Sequence, residues 1–218
     1  PKTFKDIKNL SEIKIPPSIT KIDKFAFKNC ESLVDVFIPS SVKTIGKSSF
    51  QGCIILSKLS IESGVKIIKE CAFIDCSSLT QFNVPDSVDC IENGAFSSCK
   101  NLNKFLLPTS LKVLDRSALY GCSSLTQIQI PSSLIEISEF LFAQCTSLKK
   151  VTLPKSITQI NTGAFEGCSS LEEIVIKSNI MVFGEKVFNE CKSLNKVIVP
   201  KTFDVTKIKN YKGEIITI

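Results

Sequence analysis

Ten cysteines are the residues of this 218-residue chain whose type and number most suggest chemistry. Thiols can form disulfides, hold zinc or attack electrophiles. Eight of them (Cys30, Cys53, Cys76, Cys99, Cys122, Cys145, Cys168 and Cys191) follow one another at a constant interval of 23 residues. Zinc sites want close pairs such as C-x₂₋₄-C, often with His; the regularly spaced cysteines form no such pair with one another, and the chain has no His. A constant interval stacks equivalent residues in one column. Rungs about 4.8 Å apart bring neighbouring thiols near disulfide range, but parallel Cβ vectors disfavour the torsion near 90° that the bond needs. The spacing therefore predicts a reduced structural ladder, each thiol a small buried hydrophobe donating weakly to a loop carbonyl. Cys71 and Cys90 lie outside the column, and a bridge, exposed thiols or ordinary packing would each account for them.

Other chemistry is sparse. Without His, mechanisms that rest on an imidazole base or ligand are excluded. Nothing matches a P-loop or a dinucleotide-binding turn, and the nine glycines are scattered among the repeats. The adjacent carboxylates Glu172 and Glu173 would point to opposite sides of a pleat, as on a solvated surface. The recurring serines (Ser41, Ser87, Ser110, Ser133, Ser156) have the structural role of satisfying loop backbone groups. No enzyme activity, cofactor or metal is expected.

A formal net charge of +6, from 27 basic against 21 acidic side chains, is too weak a basic signal for nucleic acid. No apolar run approaches the roughly 18 residues of a membrane span, and PKTFKDIKNL is not a secretion signal. A soluble chain without membrane insertion is the expectation. It starts at Pro1, so a leader or neighbouring domains could have been removed.

The elements that must position these residues follow from the same period. Three residues after each column cysteine stands Leu (Leu33, Leu56, Leu79, Leu102, Leu125, Leu148, Leu171, Leu194), and apolar residues recur six and eight residues on, as in Ile128 and Ile130. That alternation is a short half-buried strand. Pro follows in seven of nine units (Pro16, Pro39, Pro85, Pro108, Pro131, Pro154, Pro200) and stops it. Ser with Val, Leu or Ile comes next, then usually Ile three residues later (Ile45, Ile68, Ile91, Ile137, Ile160), turning the chain back over the core. Each complete unit closes near Ala-Phe, with Phe27, Phe50, Phe73, Phe96, Phe142, Phe165 and Phe188 three residues before the next cysteine and Leu119 substituting once. This spacing predicts about one turn of α or 3₁₀ helix. One strand and one return segment per unit is the mark of a solenoid, in which no unit buries its face alone.

The motif C-x-x-L-x-x-I-x-I-P-x-S-[VL]-x-x-I-x-x-x-A-F-x-x-C resembles the BspA-like, or Treponema-type, subclass of leucine-rich repeats, over about residues 4–203. The resemblance implies a curved parallel sheet on the concave face, a binding role without shared catalytic residues, and proteins of bacteria and protozoan parasites often found at cell surfaces. The expected fold is an α/β repeat solenoid, a leucine-rich-repeat arc with short helical or 3₁₀ turns on its convex side. Residues 1–218 should form one domain, with about nine rungs over 7–203, a partial repeat at 1–10 and a C-terminal cap at 204–218 that holds a turn at Lys212-Gly213 and a strand-like 214–218. Two units depart from the pattern, with Glu62 and Gly64, and with Lys177 and Asn179, in place of Pro and Ser.

Strand alternation assigns the concave surface. One column runs Glu12, Asp35, Lys58, Gln81, Lys104, Gln127, Lys150, Glu173, Lys196, and the next runs Lys14, Phe37, Ser60, Asn83, Leu106, Gln129, Thr152, Val175, Ile198. The partner-binding residues are expected among Phe37, Leu106, Gln127, Gln129, Lys150, Val175, Lys196 and Ile198, with Gln127 and Gln129 bland. Val175 and Ile198, with lysines nearby, form the best patch for an acidic protein partner with an apolar anchor. A protein-interaction module is the leading expectation, an adhesive segment of a surface protein the alternative. A monomer is expected. The thiol-rich core points to a reducing, cytoplasmic setting, the resemblance to the cell surface.

Overall fold

A computed structural model of the chain describes residues 4–208, 211 and 213–218. In chain order its strands are β1 (Glu12–Lys14), β2 (Lys21–Ile22), β3 (Asp35–Ile38), β4 (Thr44–Ile45), β5 (Lys58–Ile61), β6 (Ile67–Ile68), β7 (Gln81–Asn83), β8 (Cys90–Ile91) and β9 (Lys104–Leu106). They continue with β10 (Val113–Leu114), β11 (Glu136–Ile137), β12 (Lys150–Leu153), β13 (Gln159–Ile160), β14 (Glu173–Ile176), β15 (Val182–Phe183), β16 (Lys196–Val199) and β17 (Glu214–Thr217). All pairings among them are parallel, and those between repeats join residues 23 apart, such as Asp35 with Lys58 and Val151 with Ile174. The chain is a parallel β-solenoid of the leucine-rich-repeat type.

Each rung has three layers. The longer strands (β1, β3, β5, β7, β9, β12, β14, β16) form the main sheet expected from the L-x-x-I-x-I run. In β3 the side chains alternate between solvent and core, with Val36 and Ile38 fully buried beneath Asp35 and Phe37. The two-residue strands form a second, return sheet: the segment that carries Ile45, Ile68 and Ile91 is not merely a loop but pairs in register from rung to rung.

The third layer corrects the helical expectation. The Ala-Phe segments are turns, and the 3₁₀ turn Val205–Ile208 is the one helical element among the described residues. Every complete rung has two left-handed residues four apart, as at Phe25 and Asn29, Ser48 and Gly52, or Gly163 and Gly167, which no right-handed helix accommodates. Alternate N–H groups are also committed sideways: Phe25, Phe27 and Asn29 donate to the carbonyls of Lys47, Ser49 and Gln51 on the next rung, and Phe50 donates to Ala72. The intervening groups close local turns, as in Cys30 N–H to Phe27 C=O. A helix would use all these groups within the rung; the solenoid uses half of them to hold rungs together.

Inside, two columns run the length of the stack. Phe4, Phe27, Phe50, Phe73 and Phe96 stack ring on ring with centroids 5.0–5.4 Å apart, and stacking resumes from Phe142 to Phe165 at 5.4 Å. Leu119 interrupts it, and the tilted rings of Phe82 and Phe105 pack against the stack just before the interruption. Beside it runs the cysteine column. Each of its eight thiols donates to the carbonyl 26 residues earlier, from Cys30 to Phe4 (3.1 Å) through Cys99 to Phe73 (3.3 Å) to Cys191 and Phe165 (3.0 Å). All ten thiols are free. Cys71 sits in a left-handed turn position, and Cys90 lies half-buried on β8 between Ile67 and Val113.

The serine column satisfies loop backbone groups as expected. Ser41, Ser110 and Ser133 donate to the carbonyls of Ile19, Asp86 and Leu111, and Ser87 accepts from Gly64 N–H. Ser156 keeps a buried hydroxyl without a protein partner. The departure at Gly64 has a steric cause, since a Cβ there would collide with the Ser40 carbonyl, while Glu62 accepts the Ser40 N–H at 2.8 Å. At the C-terminal end β17 pairs with β16 and continues the main sheet. The expected turn residue Lys212 lies outside the described residues.

Candidate interaction surface

The outward residues of the main sheet are positioned by the buried residues between them. Phe37 is 41% exposed and Leu106 44% exposed, each held up by flanking core residues of its strand (Val36 and Ile38, Phe105). They stand three rungs apart and form no common patch. Gln127, Gln129 and Lys150 are exposed, as expected. Val175, Lys196 and Ile198 are only half-buried surface, because neighbouring strands flank them: Val175 lies between Thr152 and Ile198, and Ile198 between Val175 and Ile216. The apolar column therefore includes Ile216, which the repeat pattern misses because the register fails after Phe203.

Charge on this face differs from the expectation too. Glu173 stands between the two lysines assigned to an acidic partner, 2.6 Å from Lys150 Nζ and 3.5 Å from Lys196 Nζ. The hydrogen bond from Lys150, ahead of its charge and that of Lys196, holds the Glu173 carboxyl below the usual carboxylate range. Neither lysine is a free cation. The sequence contained the signal, since Lys150, Glu173 and Lys196 share one phase, and like phase means adjacency here.

The residues read as bland carry the most distinctive geometry. The main sheet is not continuous: β1, β3 and β5 form one piece, β7 and β9 another, and β12, β14, β16 and β17 a third. Between the second and third, the strand predicted at Ile128–Ile130 does not form, and a single pair, Gln127 with Lys150, joins that rung to β12. The return sheet opens at the same place, between β10 and β11. There Ser138 bridges by its hydroxyl, donating to the Leu114 carbonyl at 2.8 Å. On the main face the other side of this rung, towards β12, holds a groove of about 720 Å³, lined by Thr126–Ile130 and by Lys149, Lys150, Thr152, Pro154 and Lys177. In the sequence the break between β10 and β11 is announced by Leu119, which stands where other units have Phe.

The column thiols supply no reactive group to this face. Burial pushes Cys53 and Cys191 up to about 12, and Cys76, Cys99, Cys122 and Cys145 well above the ordinary thiol value.

A profile of the BspA type leucine rich repeat region, in six copies, matches residues 1–125 and 89–212. Among solved structures, the T. pallidum leucine rich repeat protein is 30% identical, with a TM-score of 0.62, over 95% of this chain and 87% of that one. A leucine rich cell surface protein of Faecalibacterium prausnitzii A2-165 is 23% identical, with a TM-score of 0.57, over 94% of this chain and 82% of that one. The pneumococcal vaccine antigen PcpA is 21% identical with a TM-score of 0.54, over 87% and 62% of the two chains. No curated protein sequence gives a significant match. The 23-residue period and the solenoid it builds thus agree with the profile: the chain belongs to the BspA-type leucine-rich repeat family.

Proposed function

We propose that the chain is a non-enzymatic protein-recognition module that binds a protein partner through its main-sheet face. One observation carries this reading. The buried columns hold nearly constant residue types, while outward positions over the same backbone change at each rung: Phe37, Ser60, Asn83, Leu106, Gln129, Thr152 and Val175 share one phase. A scaffold that is constant where it packs and varied where it faces solvent suits recognition better than chemistry. Photo-crosslinking tests it. A crosslinker at Asn83 or Gln129 should capture the partner, and one at Lys112, which precedes β10 of the return sheet, should not; equal capture from both faces would refute the reading.

A second reading, an adhesive segment of a cell-surface protein, is favoured by one specific observation: the F. prausnitzii structure is described as a cell surface protein. The cytoplasmic expectation gives way to this alternative. Thiols that are buried and bonded to carbonyls are shielded from oxidants, so their number carries little information about compartment. Protease shaving of intact cells, followed by detection of the repeat domain, decides between surface and interior.

A further inference from the structure

The groove between Thr126–Ile130 and β12 has a construction that the other rungs lack. Where the main sheet breaks elsewhere, between β5 and β7 and beyond β9, each strand still keeps a paired strand on its other side. Here pairing ends at Gln127 and Lys150, and among the described residues no backbone hydrogen bond joins Gln129 or Ile130 to either neighbouring rung. Thr152, on the facing strand, lies opposite this unpaired run. The two rungs meet at one end and part towards Ile130 and Pro154, leaving open peptide groups along a groove of about 720 Å³.

Unpaired strand groups in a groove are the feature that an incoming extended chain satisfies, because a peptide presents its own N–H and C=O at about 3.3 Å per residue. The rim adds a sign. Lys149 and Lys177 line the groove without an ion pair among the described residues, whereas the charge of Lys150 is answered by Glu173 at 2.6 Å. Glu172 stands one rung on from Lys149 and is exposed, but makes no ion pair with it. The lining holds amides, hydroxyls and aliphatic carbons but no aromatic ring, so the stacking platform that a sugar would use is missing.

We infer that this groove docks an extended, carboxylate-bearing peptide segment of a protein partner, its backbone bonding to the open groups of Gln129, Ile130 and Thr152 and its acidic side chains to Lys149 and Lys177. The inference rests on the protein-recognition reading above and specifies where and how recognition occurs. Glu173 acts as a built-in competitor: by engaging Lys150 it holds one of three lysines away from the ligand.

Fluorescence anisotropy on the full chain tests this with a labelled decapeptide that alternates Glu with Val, a version with Gln for each Glu, and a version N-methylated at alternate residues. The Glu peptide should bind, and the Gln and N-methyl versions about tenfold more weakly. Lys149→Glu with Lys177→Glu should weaken the Glu peptide about five- to tenfold, while Glu173→Gln should strengthen it about two- to fivefold by releasing Lys150. Lys112→Glu, beside the return sheet, should leave the affinity for the Glu peptide unchanged. Unchanged melting temperatures establish that these substitutions, at exposed Lys112, Lys149 and Lys177 and at half-buried Glu173, leave the fold intact. Absence of binding by the Glu peptide, equal binding of the N-methylated one, no gain from Glu173→Gln, or tighter binding of polygalacturonate than of the peptide each overturns the assignment. If the photo-crosslinked partner is retained by the Lys149→Glu, Lys177→Glu variant, the groove assignment fails and the recognition reading stands; if no main-sheet position captures a partner, that reading itself fails.

Discussion

At the scale of single residues, the cysteine column is almost wholly legible in the sequence. Constant spacing places Cys53, Cys99 and Cys145 in register, and the S–H to carbonyl contacts follow from stacking them beside the turn layer. The main-face charges are legible as well, since Lys150, Glu173 and Lys196 share the phase that sets β14 between β12 and β16; what the phase does not give is how closely the three side chains approach. The thiols also set a pH dependence. Their folded values lie above the ordinary value of 9.0, so the native state holds protons that the unfolded chain releases. Stability is then fully present below about pH 8.5 and falls as pH rises towards the folded values, by about 1.4 kcal/mol per pH unit for each thiol. Thermal melts from pH 7 to 11 should show this decline, and Cys99→Ala with Cys122→Ala should make it shallower by two thiols' worth. An unchanged slope would mean that the column does not set it. Thiol labelling at pH 7 gives a second check: Cys71 and Cys90 should react in the native protein, and the seven buried column thiols from Cys30 to Cys168 only on unfolding.

At the scale of elements, the main-sheet strands are legible except at Ile128–Ile130, and the turns and the two-residue return strands are not. Apolar alternation and Pro mark β3 and β12 directly, whereas A-F with apolar neighbours at i, i+1 and i+4 fits a helix as well as a turn whose alternate N–H groups cross to the next rung. Periodicity within one unit cannot show bonds between units, and that is why the spacing points to a helical convex layer where the chain builds turns. The interruption at Leu119 belongs to this scale as well. Its rung carries Phe105 on the main strand, and the Phe105 ring packs edge-on at 5.0 Å from Phe96. The aromatic volume has moved from the turn layer to the strand, leaving room for Leu where other rungs have Phe. Leu119→Phe alone should therefore overpack this fully buried site and destabilise the protein by about 1–3 kcal/mol. Adding Phe105→Ile should recover much of the loss, because the strand position then resembles its neighbour Ile128. A double-mutant cycle by chemical denaturation measures this, and additive losses would show that the two positions do not share volume.

At the scale of the whole molecule, stability in a stack of repeats is a sum of rung terms and nearest-neighbour interfaces, so the weakest interface sets where the stack parts. Here it lies between the rung of β9 and β10 and the rung of β11. Both sheets open there, and the aromatic stack is interrupted at Leu119. The turn layer still crosses it, through the Ser117, Leu119 and Gly121 N–H groups to Glu139, Leu141 and Ala143, as do the Ser138 hydroxyl and the Arg116–Glu139 ion pair at 3.5 Å. Such a joint holds on one side and is open on two. It should exchange fastest where both neighbours are missing: the Gln129 and Ile130 amides should be the least protected on the main face, well below Val151 and Ile174, which lie in paired strands. The same weakness should lower cooperativity. In urea, a probe placed at Phe50 should report a midpoint different from one at Phe165, because the stacks on either side of the joint unfold with some independence. Coincident midpoints, together with uniform protection across Gln129 and Val151, would show that the turn layer alone couples the halves into one unit.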